Sequence, residues 1–388
     1  MNFTDKQIES IVSDYLLNGN MDKLLETMLN CLMKIERKTF LSESETPNNK
    51  SNGFRDARKV YGNKQFMMKI PRDRLGLFYP LILATIKNNE EEMHRLAFNL
   101  YAKGLSQQDV GDIFKSIYGK QYSTSSISRM SQEFKDEVND WRNRPLEEYY
   151  PVLIIDALFS NVRRGNSITN EATYTVIALR SDMTRDIIAL EHFPTESASG
   201  WQEVLFMLKE RGLKSTKLII ADGLTGLENS IPQVYPKAKF QKCVVHFKRN
   251  ILNKVAPKNK LEVVEDLKEV FKTNDPHYTK EQAIKNLDSF ITKWGKSYRR
   301  IRNLKKQTNL IYYFTYLDYD YRVQSMIYTS NWVENLNKKY RKSLKIRNSM
   351  PSEESVLLLL GKVAMDSNYK YLKYPIHNFK FDKTLFPE

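Results

Sequence analysis

Apolar positions recur at helical spacing from the start of the chain, at Ile8, Ile11, Tyr15, Leu16, Leu24, Leu25, Met28, Leu29 and Leu32, and predict helix over residues 1 to about 40. The pattern stops at SESETPNNKSNG, residues 42–53, whose polar and turn-forming content reads as a linker or exposed loop. Residues 54–80 begin FRDARKVYGNKQFMMKIPRDR, short β-like runs around a Tyr-Gly-Asn turn, and predict a small basic hairpin suited to contacting phosphates. Helical periodicity returns from Glu90 to Glu137. Within it LSQQDVGDIFKSIYG and STSSISRMSQEFKDEV, joined by KQY, resemble a helix-turn-helix as much as an ordinary helical pair. Ser106 can cap the first helix and Ser123 or Thr124 the second, since a hydroxyl accepts from the free N–H groups of a helix start. Ser125, Ser128 and Arg129 on the second helix have side chains suited to base edges and phosphates.

After NDWRNRPLEEYY the period changes from helical to strand-like. PVLIID (151–156), TYTVIALRSD (173–182) and RDIIALEHF (185–193) predict three strands, followed by a helix over SASGWQEVLFMLKERG with Ser197 or Ser199 as cap and Gly212 as stop. KLIIAD, ending on Asp222, predicts a fourth strand, GLTGLENSIPQVYP a short helix, KFQKCVVHF a fifth strand and KRNILNKV the start of another helix. This order is that of an α/β fold with a mixed five-stranded sheet, a ribonuclease H-like domain, and topology alone assigns no function. Residues 258–325 interrupt it with a helical segment rich in Lys and Arg, and a further helix follows Ser330.

Two acids close apolar strands, Asp156 after PVLII and Asp222 after KLIIA. Ligands of open α/β sheets gather at the carboxyl ends of strands, and a carboxylate there needs a partner charge to offset desolvation, for which a divalent cation is suited. Asp also commonly begins a turn after a strand, so either residue alone carries little weight. A third acid, Glu334 in TSNWVENLNKKYRKSLKIR, follows a capping site at Thr329, Ser330 or Asn331 and shares a helical face with Asn337, Lys338 and Arg341.

The 388 residues are 41% hydrophobic, enough for a real core, and carry 61 Lys and Arg against 46 Asp and Glu, a surplus of +15 that favours a polyanionic partner. The longest apolar runs fall far short of the ~18 residues that span a bilayer, which leaves nucleic acid rather than membrane. MNFTDKQIESIVSDYLL is acidic and polar where an export signal is basic and then apolar, and two cysteines offer neither a disulfide framework nor four zinc ligands, so a reducing cytoplasm is expected. From Lys242 to Arg347 there are 24 basic and 10 acidic residues, nearly the whole surplus. KWGKSYRRIRNLKK interleaves Trp294 with Arg299, Arg300 and other cations, a composition suited to backbone contact and base stacking, although Trp294 also suits a local core. The tyrosines of residues 311–328 read as packing and groove contacts, with Asp318 and Asp320 on a connector.

LIIDALFSNVRR, LIIADGLTGLENSIPQVYPKAKFQKCVVHFKRN and YTSNWVENLNKKYRK resemble the three blocks of the Mutator-like bacterial insertion-sequence transposases, DD-E enzymes related to plant Mutator elements. LYAKGLSQQDV, NRPLEEYYPVLIIDA, ESASGW, WGKSY and the MPSEE segment extend the resemblance over roughly residues 50 to 365. It implies that Asp156, Asp222 and Glu334, spaced 66 and 112 residues apart, are catalytic and metal-holding acids, the second interval being enlarged by an all-α insertion domain. The domains expected are then a helical module at 1–41, a DNA-binding region at 54–150, the catalytic domain at 151–257 with 326–388, and the insertion at 258–325. The resemblance also implies DNA transposition: binding of the element's terminal inverted repeats and of target DNA, a homodimer on paired ends in the nucleoid, and a copy-out route through a circular intermediate. Two Mg²⁺ ions, which Mn²⁺ can replace, can serve hydrolysis of a phosphodiester and then attack by the released 3′-OH; Asp156 would bridge them, with Asp222 holding one and Glu334 the other. Cys243 and His246 form a C-x-x-H that the resemblance includes; they read either as a supporting pair near the acids or as a buried thiol and a satisfied imidazole. Lys338 and Arg341, beside Glu334, are candidate DNA contacts. A transposase-derived DNA-binding protein without catalysis is the alternative.

Overall fold

The computed structural model describes residues 20–43, 49–61, 64–103, 105–118, 123–223, 226–345, 347–376 and 385–386, with Glu9, Val12 and Ser13. The chain divides into two compact units, residues 1–101 with 105–133, and residues 102–104 with 134–388.

In the first unit the helix Met21–Glu43 is followed by the antiparallel strands β1 (Ser51–Tyr61) and β2 (Lys64–Asp73). The hairpin lies where the basic run predicts it; Gly62 and Asn63 of its turn lie outside the described residues. Alternation sends Phe66, Met68 and Ile70 inward against Met33 and Leu83. Helix side chains saturate one edge of β2: Glu26 accepts from Met67 N at 2.8 Å and Asn30 from Lys69 N at 2.7 Å. The helices Leu81–Ala102, Gln107–Tyr118 and Thr124–Gln132 enclose Ala97, Val110, Phe114 and Ile127. Ser106 accepts from Asp109 N at 3.0 Å, and Ser123, rather than Thr124, caps Thr124–Gln132 by accepting from Ser126 N. The KQY connector lies outside the described residues.

The second unit is built on a mixed five-stranded sheet of β3 (Tyr149–Arg164), β4 (Ser167–Leu179), β5 (Arg185–Phe193), β6 (Ser215–Ala221) and β7 (Lys239–Lys242). Their spatial order is β5-β4-β3-β6-β7, antiparallel in the β3-β4-β5 meander and parallel from β3 through β6 to β7. Strands covered on both faces require continuous apolar runs, and VLII in β3 and LIIA in β6 are fully buried. Ser197, not Ser199, caps the helix Ala198–Glu210, which Gly212 ends with a φ of 115°. Trp201 on this helix stacks on Tyr174 of β4 with ring centroids 4.3 Å apart.

Two strand boundaries differ from expectation. β3 does not end at Asp156: it continues to Arg164, because β4 begins at Ser167 and pairs with it throughout, Asp156 lying opposite Thr175. The fifth strand stops at Lys242 instead of Phe247, and the helix Val244–Leu252 begins at once. Cys243 N still bonds to Ala221 O, the last rung toward β6, whereas Val244 N turns to Tyr328 O and Phe247 N to Cys243 O.

Between Pro257 and Ile327 the only regular elements among the described residues are helices and 3₁₀ turns, including Lys260–Val270 and Lys280–Trp294. Trp294 is 6% exposed and donates its indole N–H to Asp266 at 2.7 Å, which corrects the stacking role: no ring face is left for a base. The tyrosine-rich stretch packs inward through Tyr316 and Tyr319, while Asp318 pairs with Lys239 and Lys280 and Asp320 with Arg322. No helix among the described residues is long and apolar enough to cross a membrane.

Candidate active site

The sheet register sets the first two acids. Parallel pairing of β3 with β6 ends at Ile155 opposite Ala221, so Asp156 and Asp222 are the next residues on neighbouring strands, at the edge where the ladder stops. Asp156 remains within β3 but has lost its β6 neighbour, which opens its carboxylate to a cleft. Its Oδ2 accepts from Asn337 Nδ2 at 2.8 Å and its Oδ1 from Ala157 N at 3.0 Å. Burial and the negative charge of Asp222 push its carboxyl up to about 7 against the opposing pull of His246. Asp222 is half exposed and accepts from Gly223 N at 2.7 Å.

Glu334 reaches the same cleft from the first turn of the helix Asn331–Leu344. Its Oε2 accepts from Arg249 at 3.3 Å. The Ser330 hydroxyl is 3.3 Å from its Oε1 and 3.2 Å from Cys243 Sγ, so its single proton serves one acceptor at a time. Asn337, one turn after Glu334, ties this helix to Asp156. Glu196, whose carboxyl burial also pushes up, lines the cleft as a fourth acid.

Because β7 ends at Lys242, Cys243 is the cap of the following helix and His246 lies in its first turn, on the side facing the acids. His246 Nδ1 is 3.6 Å from Asp222 Oδ1 and Nε2 is 3.7 Å from Glu334 Oε1, ion-pair separations too long for direct hydrogen bonds. The imidazole is pushed up to about 9, first by its hydrogen bond with Cys243, then by the charges of Cys243, Asp222 and Glu334, with burial opposing. The buried Cys243 thiol is lowered: burial raises it, and hydrogen bonds with His246 and Ser330 outweigh burial. The imidazole thus stands between two of the three acids, at ion-pair distance from each.

The cleft encloses about 850 Å³. Lys242, Arg249, Lys306 and Arg341 supply positive charge around its acids. On one side it shares Asn250, Gln307 and Tyr313 with a cavity of about 660 Å³ that Arg299 and Arg300 line; on the other it shares Phe159 and Arg341 with a cavity of about 480 Å³ that includes Lys338. Ser125 and Arg129 are exposed and Ser128 half-buried in the first unit.

Arg249, Asn337 and Glu196 had no role in the sequence reading. Asn337 was legible as a member of the Glu334 face, three residues on. Arg249 stands three residues after His246, a spacing that shares a face only once the helix is known to begin at Val244.

Two donor sets are available for a cation. Cys243, His246 and Glu334 present ligand atoms within 4.8 Å of one another, a thiol and imidazole set suited to softer ions. The Asp156, Asp222 and Glu334 carboxylates are hard oxygen donors on the open cleft.

Comparison with known sequences identifies the family. A family model described as transposase, Mutator family, matches residues 3–373. The transposase for insertion sequence element IS905 of Lactococcus lactis subsp. lactis is 29% identical over 355 residues, covering 89% of this chain and 88% of that protein. That for IS1201 of Lactobacillus helveticus is 28% identical, covering 94% and 98%. That for IS256 in transposon Tn4001 of Staphylococcus aureus is 29% identical, covering 97% of each chain. The match spans both units, all three cleft acids and nearly the full length of these relatives, and the chain belongs to the Mutator family of transposases.

Proposed function

We propose that this protein is a DD-E DNA transposase that binds the terminal inverted repeats of an insertion sequence and performs Mg²⁺-dependent strand cleavage and strand transfer from a ribonuclease H-like domain. One observation carries the reading: three carboxylates from separate parts of the chain converge on one cleft with a cationic surround. The strand order β5-β4-β3-β6-β7 supports the fold reading, and the strandless stretch between Pro257 and Ile327 supports an inserted helical domain.

The donor chemistry fits Mg²⁺ or Mn²⁺. Burial, then the charge of Asp222, raises the Asp156 carboxyl, a cost that a bound cation would offset, and the carboxylates of Asp222 and Glu334 line the same cleft. Cys243 suits the role less well, being 1% exposed with its sulfur already accepting from Ser330 N. Asp156, Asp222 and Glu334 would hold the ions, which when bound activate the attacking oxygen and stabilise the leaving one.

The chain's own residues do the rest. Asn337 orients the Asp156 carboxylate, and Arg249 and Ser330 orient that of Glu334. His246 balances the charge between Asp222 and Glu334. Lys306 and Arg341 at the cleft, with Arg299 and Arg300 in the adjoining cavity, meet the phosphates on either side of the reacting one. In hydrolysis water attacks phosphorus and a 3′-OH leaves; in transfer that 3′-OH attacks target phosphorus and the target's own 3′-oxygen leaves. Two copies on paired ends would bring both reacting strands together.

Labelled terminal-repeat DNA incubated with the protein in Mg²⁺ and in EDTA tests this. Cleaved and joined products with Mg²⁺ alone are expected. Binding of the same DNA without any Mg²⁺-dependent product would overturn the catalytic reading in favour of a non-catalytic DNA-binding protein, and cutting without joining would reduce it to a nuclease.

A further inference from the structure

β3 and β4 run on past the sheet. β3 loses β6 after Ile155 and β4 has β5 beside it only from Ala172 on, while β3 and β4 stay paired as far as Arg164 opposite Ser167, so residues 160–164 form one strand of a projecting two-stranded ribbon with Phe159 at its base. Alternation buries Leu158, Ser160 and Val162 and turns Phe159, Asn161 and Arg163 outward. The ribbon is anchored: Val162 bridges to Met350, Arg163 N donates to Met350 O at 2.9 Å, and Met350 N donates to Asn161 O at 2.8 Å.

Between this ribbon and the last turns of the helix Asn331–Leu344 lies the cavity of about 480 Å³. Lys338, Arg341, Lys342, Lys345 and Arg347 line it, and among the described residues no acid does. Phe159 is 47% exposed, lines both this cavity and the acid cleft, and makes no ring pairing among the described residues. An aromatic face, five cations and the amides of Asn161, Asn170 and Asn348 form a sequence-tolerant set for an unpaired strand, in which bases stack and phosphates meet positive charge. Its volume lies within the ~300–1,000 Å³ of small-ligand sites, room enough for a nucleotide.

We propose that this cavity is a single-strand subsite: a nucleotide beside the scissile phosphate leaves the duplex, its base stacks on Phe159, and its phosphates lie against Lys342 and Lys345. This rests on the transposase reading and adds to it that the DNA end is locally unpaired before transfer. Arg341, which lines both spaces, spans the step from the unpaired nucleotide to the acids.

The test uses the full chain, terminal-repeat duplexes carrying 2-aminopurine at successive positions around the cleaved bond, and the variants Phe159→Ala, Phe159→Trp and Lys342→Ala with Lys345→Ala. Wild type should raise the fluorescence several-fold at one or two adjacent positions. Phe159→Ala should abolish that rise and lower kcat/KM for cleavage roughly five- to 150-fold, the effect of removing one base–aromatic stack, while Phe159→Trp keeps both near wild type. The double lysine variant should flatten the dependence of DNA affinity on salt. A fluorescence profile and cleavage rate unchanged in Phe159→Ala would overturn the subsite while leaving the transposase reading intact. Wild type that binds this DNA and yields no Mg²⁺-dependent product would overturn the transposase reading and the subsite with it.

Discussion

Asp156→Asn should make the metal-free protein more stable while abolishing its chemistry. The Asp156 carboxyl stands at about 7 in the folded chain against a reference of 3.8, a difference of about 3 pKa units. At 1.36 kcal/mol per unit, the folded state above pH 7 carries a penalty of at most about 4 kcal/mol for holding this carboxylate ionised. The sign follows from the raised value. Below pH 3.8 both states hold the proton and there is no penalty. Between 3.8 and about 7 the unfolded chain releases its proton first and stability falls with rising pH; above 7 the penalty is complete. Asparagine keeps the shape and removes the charge. Its carbonyl can still accept from Asn337 Nδ2 or, with the Asn337 carboxamide flipped, its new amide can donate to Asn337 Oδ1, which is buried without a partner. In EDTA at pH 8, calorimetry should place the variant about 2 to 4 kcal/mol above wild type, a gain that shrinks toward zero by pH 4. Mg²⁺ should then stabilise wild type, by about 2.7 kcal/mol at one hundred times its Kd, and leave the variant unmoved. Equal stability at pH 8, or a gain that does not change with pH, would refute the reasoning.

Three further outcomes follow from neighbouring geometry. Asn337→Leu removes the donor that orients Asp156 and should slow single-turnover cleavage about 10- to 100-fold with DNA affinity kept, as measured by quench-flow and by titration. Trp294→Phe deletes the bond to Asp266 and should cost about 1.5 to 3 kcal/mol in urea unfolding without altering DNA affinity; a loss of affinity alone would reinstate the stacking role. Arg164, with Thr169 and His192, holds the Glu171 carboxyl at about 2 in spite of burial, so its contribution to stability is present above pH 4.5 and is lost as pH falls toward 2. Glu171→Gln should therefore flatten the acid limb of a calorimetric pH series over that window.

The meander, the two crossover helices and the parallel strands were legible because their apolar runs are long and their turns carry the expected punctuation, as at Gly212. Asp156 was legible as an acid beside a sheet edge but not in its strand context. The sequence suggests a strand end, whereas the structure has a continuing strand whose neighbour ends, and only pairing with β4 distinguishes the two. The C-x-x-H was harder to read because VVHF suits a strand as well as a helix, and the choice is made by Tyr328 O, 84 residues away, accepting from Val244 N. Trp294 among cations looks the same whether its indole faces solvent or Asp266, which is a tertiary fact. The exposure of Phe159 was not legible, because an exposed aromatic on a strand leaves the same alternation as a buried one.

The central claim is that Asp156, Asp222 and Glu334 act together on DNA. Strand transfer of terminal-repeat DNA in Mg²⁺ by Asp156→Asn, Asp222→Asn and Glu334→Gln, each shown to bind that DNA, tests it most directly. Every one of the three should fall to background, and transfer at the wild-type rate by any one of them would contradict joint action of the three acids.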